Sequence, residues 1–519
     1  MSMNNLDRFI AYFAPYAALR RKLARESLQV EAERFYEAGR PSRLRKTRSD
    51  RGSGDAVVGN AGDSLRIQAR HLDENHDLAR GILSTLVNNV VGTGIRTEPQ
   101  VKDTNRELLR EFNRELLELF SNWVKKPEVT WEHHWSGVQR LAARTWFRDG
   151  EVLVQRLGGN VSLLDHGTRV PYSIELIEPD YLPMDLDDKS KGIVQGVEKN
   201  AWGRPRAYHF YKEHPGDPHT FLQFRADTKR VTAENVLHLK MADRIKQTRG
   251  VSIFASVLIR LDDLKEYEEA ERTAAKVAAS MCAFIRKSLD GEMGKLKADQ
   301  VGNRTMRFKP GMIFDNLLPG EEIATVDSKR PNQGLESFRQ GQLRAIAGGT
   351  STGYSSIAKD YNGTYSAQRQ ELVEQSINYM TLREYFIERF VRPIWEDFVT
   401  YALVAGVIRP PAGVNEATLL DAEFRGPSLP WIDPVKEITA EEKAVQAGFK
   451  SRSQVIRERG GNPDDVFEQI RREREEEVEA GVTFTSNPGT SKTETVEPEP
   501  EDKPEEETPE DDTGEPEEA

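Results

Sequence analysis

Apolar residues recur at helical spacing through most of the chain, and polar or glycine-rich stretches separate one such segment from the next. Between residues 65 and 91 the apolar positions follow the 3.6-residue period, and Gly92 and Gly94 provide a left-handed helix end. The same period predicts further helices over residues 106–123, 136–148, 252–287, 335–347, 365–404, 435–448 and from Ser451 onward, where the serine is an N-cap candidate. Pro393 predicts a bend within the helix over 365–404.

Short segments with alternating apolar and polar residues predict strands. Five of them lie at residues 152–155, 174–177, 208–211, 221–224 and 236–239. Three more, at residues 306–308, 312–314 and 323–326, are separated by Pro-Gly pairs and predict a small inserted sheet. The predicted fold class is therefore α+β, mainly helical.

The segment over 252–287 is the longest predicted helix, because it contains neither Gly nor Pro. A helix of that length would span about 50 Å. Its second half carries Ala270, Ala274, Ala278 and Cys282 at a spacing of four, a small-residue stripe that allows close approach of another helix. The pattern fits a stem packed against copies of itself, and it also fits a hairpin within one subunit.

A loop is predicted between the helix ending near Ala347 and the helix beginning near Tyr365. Its Gly, Ser, Thr and Asn residues allow positive φ and local hydrogen bonds that end one helix and begin the next. The residues of this loop that we single out are Gly348, Gly349, Thr350, Ser351, Thr352, Gly353, Tyr354, Lys359 and Asn362.

Charge is distributed unevenly along the 519 residues. The formal charge is −12, and residues 491–519 contain 14 acidic residues and 2 lysines, so residues 1–490 are neutral overall. The tail is predicted to be disordered and serves either as a docking or solubilising segment or as an inert extension. Residues 20–51 are rich in Arg and Lys; they either hold nucleic acid or an acidic partner, or form an exposed segment without one.

Sequence motifs for catalysis are scarce. The chain contains neither a P-loop motif nor a dinucleotide fingerprint, so we expect no cofactor and no enzyme activity. Asp180, Asp185, Asp187 and Asp188 could hold Mg²⁺ for phosphodiester cleavage, although an acidic surface loop is the favoured interpretation. The histidines near residues 133 and 209–219 lack a recognised metal-ligand spacing.

The single cysteine and the hydropathy pattern bear on location. Cys282 lies in an apolar context and is expected to be a buried small residue, and one cysteine excludes an intrachain disulfide. The apolar face of residues 6–17 is interrupted by charges and Pro15, so we expect neither a signal peptide nor a membrane span.

The segment 341–369 resembles the portal proteins of lambda-like tailed bacteriophages. That family shows an Asn-Tyr-Ser-Ser-any-Arg pattern, and here Thr364 and Ala367 replace its first and fourth positions before Arg369. Further landmarks of the family follow the same order in this chain, at residues 86–95, 148–151, 177–180, 247–251 and 431–434.

The resemblance implies a portal fold with wing, stem, clip and crown regions, assembled as a ring. Its expected regions are a basic, partly disordered arm (1–60), an α+β wing (61–250), a stem helix (251–287), a clip (288–334), a second stem helix (335–347), a tunnel loop (348–364), a long helix returning to the wing (365–430), crown helices (431–480) and a disordered acidic tail (481–519). The loop residues named above would then line the DNA channel, with Lys359 contacting phosphate. Glu321 and Glu322 of the clip would bind terminase or adaptors.

The implied function is that of a homo-oligomeric ring, a dodecamer, at one capsid vertex. It would carry double-stranded DNA during packaging and ejection and dock the large terminase and the head-tail adaptor proteins. Major capsid and scaffold proteins would be further partners, and the location would be the virion, with the host cytoplasm during assembly. A Mg²⁺-dependent nuclease and a non-portal head completion or adaptor protein remain the alternatives.

Overall fold

The computed structural model describes residues 52–217, 228–279, 283–287, 321–325, 334–427 and 434–482. The chain divides into two compact units, one up to Leu429 and one from Pro430. No helix in these described ranges is long and apolar enough to cross a membrane. The predicted basic arm and acidic tail lie almost wholly outside the described residues, as does Cys282.

Two consecutive helices open the described chain: α1 (Gly54–Asn75) and α2 (Asp77–Val90). Ser53 caps α1, since its Oγ accepts a hydrogen bond from the Ala56 N–H at 3.2 Å. The predicted boundary at residue 60 therefore falls inside a helix. Gly62 within α1 allows close packing, because a Cβ there would lie 2.7 Å from the Met184 side chain.

Mixed helix and strand structure follows. The helices are α3 (Arg110–Trp123) and α4 (Trp135–Asp149). The strands are β1 (Arg96–Pro99), β2 (Glu151–Gly158), β3 (Tyr172–Ile177), β4 (Ile193–Val194), β5 (Val197–Lys199), β6 (Pro205–Tyr211), β7 (Thr228–Thr232) and β8 (Val236–Lys240). Four of the five predicted strands of this region match β2, β3, β6 and β8; the fifth, 221–224, lies outside the described residues.

These strands form two antiparallel sheets. One has the order β3-β2-β8 and the other the order β4-β5-β6-β7. Strand β1 pairs instead with β11 (Ala422–Arg425), which brings the end of the first unit back to its beginning.

The prediction of one helix over 252–287 is wrong at both ends. Residues before Leu258 form successive turns, and α5 spans Leu258–Ala279. Residues Ala283–Lys287 form strand β9, which pairs with β10 (Glu321–Thr325) in an antiparallel ladder. The Ala-Phe-Ile sequence of β9 has strand propensity, and a pairing partner about 35 residues away decides its conformation. The strands predicted at 306–308 and 312–314 lie outside the described residues.

The next helices are α6 (Leu335–Thr350), the short α7 (Tyr354–Ala358), α8 (Tyr365–Phe386) and α9 (Arg392–Val404). A π-helical turn, Ile387–Val391, joins α8 to α9. The change of hydrogen-bond pattern directly precedes Pro393, which lacks the N–H that a regular helix would require there. The prediction that this helix ends near Ala347 is wrong, because α6 continues through Gly348 and Gly349 to Thr350.

One large apolar core holds the first unit together. Trp123 stacks on Tyr172 and donates its Nε1–H to the Tyr172 carbonyl at 2.8 Å. Phe398 of α9 packs against the Trp123 ring, with the ring centroids 5.6 Å apart. Ile357 of α7 and Ile346 of α6 belong to the same core, so the segment between α6 and α8 is anchored to the helices and strands that form it.

The described part of the second unit, residues 434–482, contains three helices: α10 (Pro434–Gln446), α11 (Arg452–Glu458) and α12 (Pro463–Ala480). The predicted N-cap is confirmed, since Ser451 Oγ accepts from the Gln454 N–H at 3.1 Å. Among residues 434–482, only Pro463 is buried, so these helices form no apolar core of their own within the described part.

Candidate functional site

The segment between α6 and α8 is tightly folded. At the end of α6, Ser351 adopts φ 54°, and the buried Thr350 donates its hydroxyl to the Ile346 carbonyl at 2.9 Å. The hydroxyls of Thr350 and Thr352 lie 2.8 Å apart, and both side chains are buried. These two threonines therefore point into the subunit.

Gly353 is required by space rather than by backbone angle. Its φ is −81°, which any residue can adopt, but a Cβ would lie 1.4 Å from Nε2 of Gln375 on α8. The missing side chain lets the loop approach α8 closely.

Two side chains of α8 hold α7 in place. The Glu371 carboxylate accepts the Ser355 N–H at 3.0 Å and the Ser355 hydroxyl at 2.5 Å. Gln375 Oε1 accepts the Ser356 hydroxyl at 3.3 Å. The helix following the loop thus fixes the conformation of the loop.

Residues 359–363, which we call the tip, form a largely exposed stretch before α8 in which Asp360 is half-buried. Lys359 adopts φ 54° and is exposed, and Tyr361 exposes 60% of its surface. Asp360 accepts hydrogen bonds from the Asn362 N–H at 3.1 Å and from the Tyr354 hydroxyl at 3.0 Å. The Asn362 backbone hydrogen bond and the Tyr354 hydroxyl lower the pKa of Asp360.

The tip leads directly into α8. Thr364 Oγ1 accepts from the Ala367 N–H at 3.4 Å and caps the helix. This gives a physical role to the threonine that departs from the family pattern, because Asn and Thr are both N-cap residues.

The predicted loop residues therefore separate into three groups. Gly348, Gly349, Ser351, Lys359 and Asn362 are exposed; Thr350, Thr352 and Gly353 are buried; and Tyr354 is half-buried beneath the Arg344 guanidinium, 5.2 Å from its ring centroid. The sequence pattern did not single out Tyr361 of the tip, or Glu371 and Gln375, whose side chains hold α7 in place. The spacing of Glu371 and Gln375, four residues apart on one face of a predicted helix, was the sequence feature that could have indicated this contact.

The second predicted site lies on the β9–β10 ladder. Its register places Glu321 opposite Lys287 and Glu322 opposite Arg286.

Three of the four acidic residues of the nuclease alternative are engaged in the fold, and Asp185 is exposed. Asp180 forms ion pairs with Arg70 at 2.5 Å and Arg66 at 3.5 Å. Asp187 accepts the Gln195 N–H, and Asp188 accepts the Ser190 hydroxyl. Glu178, Asp180 and His214 come within 4.8 Å of one another, but the arginines occupy the Asp180 carboxylate. The nuclease alternative is not supported.

Three of the family landmarks meet in a buried ionic network. Asp149 and Asp180 both bind Arg70, at 2.7 and 2.5 Å. Arg249 is fully buried and pairs with Glu151 at 2.6 Å. Residues separated by about 100 positions in sequence are thus fixed against each other.

The electrostatics of Glu151 follow from this network. Burial alone would raise its pKa, but the charge of Arg249 and the hydrogen bond from His238 at 2.9 Å hold the pKa far below its ordinary value. Burial lowers the pKa of His238, which therefore remains neutral and donates its Nε2–H to Glu151.

Glycines complete the contact between these landmarks. A Cβ at Gly150 would lie 2.3 Å from the Val251 backbone, and a Cβ at Gly250 would lie 2.1 Å from the Gly150 carbonyl oxygen. Here the two chain segments run backbone against backbone, which explains the glycine in each landmark.

Comparison with known proteins identifies the family. Residues 40–383 match the family model described as phage portal protein, lambda family. The chain is 26% identical over 460 residues to the probable portal protein of Halomonas phage phiHAP-1, which covers 84% of this chain and 85% of that protein. It is 23% identical over 262 residues to portal protein B of Escherichia phage lambda, covering 46% of this chain and 49% of that protein.

Among solved structures, the chain is similar to a chain from the neck of a native gene transfer agent (GTA) particle. The TM-score is 0.44 at 12% identity, with 78% of this chain and 94% of that chain covered. The family-model match spans α1 to α7, the tip and most of α8. The chain belongs to the lambda family of phage portal proteins.

Proposed function

We propose that this portal protein assembles as a closed ring of about twelve copies at one capsid vertex and carries double-stranded DNA through its bore. The observation that carries the ring is a second apolar face on α8. Tyr379, Leu382 and Phe386 face the core of the subunit. Val373, Ile377 and Met380 lie on the opposite face and expose 48%, 60% and 53% of their surface.

A helix that is apolar on two faces is typically buried on both. The outer positions are spaced by four and three residues, so they form a continuous stripe along α8. We propose that a neighbouring copy of the protein packs against this stripe and buries it. In a ring, the stripe meets a different surface of the next copy, and the rotation between copies closes the assembly.

Within the ring, we propose that the tip faces the DNA. Lys359 and Asn362 offer an ammonium and an amide, while Asp360 beside them keeps the local charge low. Each phosphate that a protein neutralises strengthens binding, so a strongly basic lining would retard DNA movement. A weakly charged tip contacts passing phosphates without holding them.

Docking partners are proposed for the ends of the ring. The region 288–334, including Glu321 and Glu322, is the proposed binding site for the large terminase during packaging and for head-tail adaptor proteins afterwards. Major capsid and scaffold proteins are the proposed partners at the vertex during assembly in the host cytoplasm, before the protein resides in the virion. Reversing both charges, Glu321→Lys and Glu322→Lys, should weaken terminase binding in a pull-down; unchanged binding would refute this assignment.

The ring proposal is tested by Ile377→Glu. We expect this substitution to shift the purified protein from rings to monomers or small oligomers in native mass spectrometry, because a charge in a buried interface is strongly unfavourable. The matched control is Asn378→Glu, which places the same charge one residue away at an exposed polar position.

Both variants should retain the helical content of the unaltered protein by circular dichroism. Rings of unchanged size and stability for Ile377→Glu would contradict the proposal that this face is the subunit interface.

The tip proposal is tested by Lys359→Ala in a packaging assay with the complete phage. We expect rings to form normally and DNA retention or packaging rate to change, because Lys359 is exposed and contributes no buried contact. Lys189→Ala, an exposed lysine on a different loop, is the control. Packaging and retention equal to those of the control would refute the tip assignment.

A further inference from the structure

A wide basic groove lies at the far end of α8 from the tip. It has a volume of about 1370 Å³ and is bounded by β5 to β8, the loop after β8 and the π-helical turn. The tip precedes the first residue of α8, whereas Tyr385 of the groove lies in its last turn and Arg389 follows it. A 22-residue helix is about 30 Å long, so the groove and the tip are separate sites.

The groove carries an excess of positive charge. Nine Lys and Arg side chains line it, against three Asp and Glu. Two of the acids already have cationic partners: Asp55 lies 3.7 Å from Lys199, and Glu388 lies 2.8 Å from Arg392. The acids present therefore do not neutralise the remaining cations.

Some of the cations also belong to the fold. Arg156 pairs with Asp397 at 3.1 Å, and Arg230 pairs with Glu198 at 2.8 Å. Arg204, Lys246 and Arg389 are exposed and form no side-chain ion pair within the described residues. These three define the part of the groove that is available to an external anion.

An ordered turn sets an aromatic ring beside these charges. The Asn200 side chain accepts the N–H groups of Trp202 and Arg204, at 3.0 and 2.9 Å. Gly203 adopts φ 86° within the same turn. Trp202 is held at the rim with 90% of its surface exposed, an unusual position for the largest apolar side chain.

From these observations we propose that the groove binds the sugar-phosphate backbone of DNA, outside the channel tip. Unpaired arginine and lysine side chains suit phosphate oxygens, and an exposed indole suits the face of a base or sugar. An acidic protein segment is the less favoured occupant, because its docking would call for enclosed apolar pockets for anchoring side chains. The exposed rim of this groove instead offers accessible positive charges and the aromatic ring of Trp202.

The test measures binding of fluorescein-labelled 20-base-pair duplex and 20-nucleotide single strands to the full-length protein by fluorescence anisotropy between about 50 and 200 mM salt. The groove variant combines Arg204→Gln, Lys246→Gln and Arg389→Gln. The control variant combines Arg106→Gln, Lys189→Gln and Arg409→Gln, which removes the same charge from exposed positions outside the groove. The basic arm over residues 20–51 is present in both and contributes equally.

For the groove variant, we expect the slope of log affinity against log salt for duplex to fall by up to about 2.7, since each lost phosphate contact contributes about 0.9. Affinity should be at least about tenfold below that of the control variant at low salt. If single strands are the preferred form, Trp202→Ala should weaken their binding and leave duplex binding unchanged, because stacking acts on unpaired bases.

Equal affinities and slopes for the groove and control variants would overturn the proposal. Saturable binding of a polyglutamate peptide that the groove variant loses, with DNA affinity unchanged, would overturn it in favour of an acidic protein partner.

Discussion

At the residue scale, glycine serves two different purposes in this chain. Gly92 and Gly94 end a helix with positive φ, as their place after an apolar run predicts. Gly353 has an ordinary φ, and only its distance from Gln375 explains it. The sequence distinguishes these cases poorly, because contact with a residue 22 positions away leaves no local signal.

Gly353→Ala is predicted to destabilise the protein by about 1–3 kcal/mol, since an added Cβ would overlap the Gln375 amide. Gly348→Ala is the control: nothing lies within 4 Å of its added Cβ, and the helix should gain up to about 1 kcal/mol. Denaturant unfolding measures both. Equal stabilities for the two variants would show that the loop does not pack on α8 as described.

The buried pair Glu151 and Arg249 gives a second prediction at this scale. Glu151→Gln leaves the Arg249 guanidinium buried without its counter-charge, which should cost about 3–5 kcal/mol. Replacing the exposed Glu132 by Gln should change stability by less than about 0.5 kcal/mol. A loss from Glu151→Gln no larger than that of the control would contradict the buried network.

Stability should also depend on pH through His238. Burial lowers its pKa in the folded state, while nearby Glu151 opposes the shift and Lys240 and Arg249 add to it. The unfolded chain therefore binds more protons as pH falls below about 6.5, so the stabilisation is present above that pH and is lost below it.

We expect the unfolding free energy to rise between pH 5 and pH 7.5, and this rise to be smaller in His238→Gln than in the control His71→Gln, an exposed histidine. His209, whose pKa burial also lowers, contributes in the same direction in both variants. Parallel pH profiles for the two variants would show that His238 does not contribute to the rise of the unfolding free energy with pH.

At the element scale, periodicity located α3, α4 and the central strands closely, because each carries a clear apolar face toward a buried core. The single helix predicted over 65–91 is instead two helices, α1 and α2, separated at His76. Periodicity predicted the wrong element where pairing with a segment far away in the sequence determines the conformation. Residues 283–287 continue a helical pattern, yet they pair as a strand with residues 321–325. The short helix α7 was also missed, because five residues supply little periodicity and Glu371 and Gln375 of α8 hold it in place.

The two apolar faces of α8 show what single-chain periodicity conceals. Tyr379 and Phe386 mark the inner face, while Ile377 and Met380 mark the outer one. In the sequence alone, the two faces together place apolar residues on several sides of the helix, so no single apolar face stands out. Only the burial of one face by the subunit separates the residues that fold the chain from those left for a neighbour.

At the scale of the whole molecule, the family and its portal role could be identified from ordered landmarks, and the structure explains several of them. Residues 148–151, 177–180 and 247–251 converge on Arg70 and Arg249. What the landmarks do not contain is the basic groove, since Arg204, Lys246 and Arg389, which form no ion pair within the described ranges, come from three separate elements. The net charge of residues 1–490 is zero, so the overall charge gives no indication of the local positive charge of the groove.

The most direct test of the ring and its bore is cryo-electron microscopy of the purified full-length protein, reconstructed without imposed symmetry. We expect a closed ring of about twelve copies, with the outer face of α8 covered by the neighbouring copy and residues 359–363 closest to the central axis. A monomer or dimer at all concentrations, or a ring with those residues on its outer rim, would contradict this expectation.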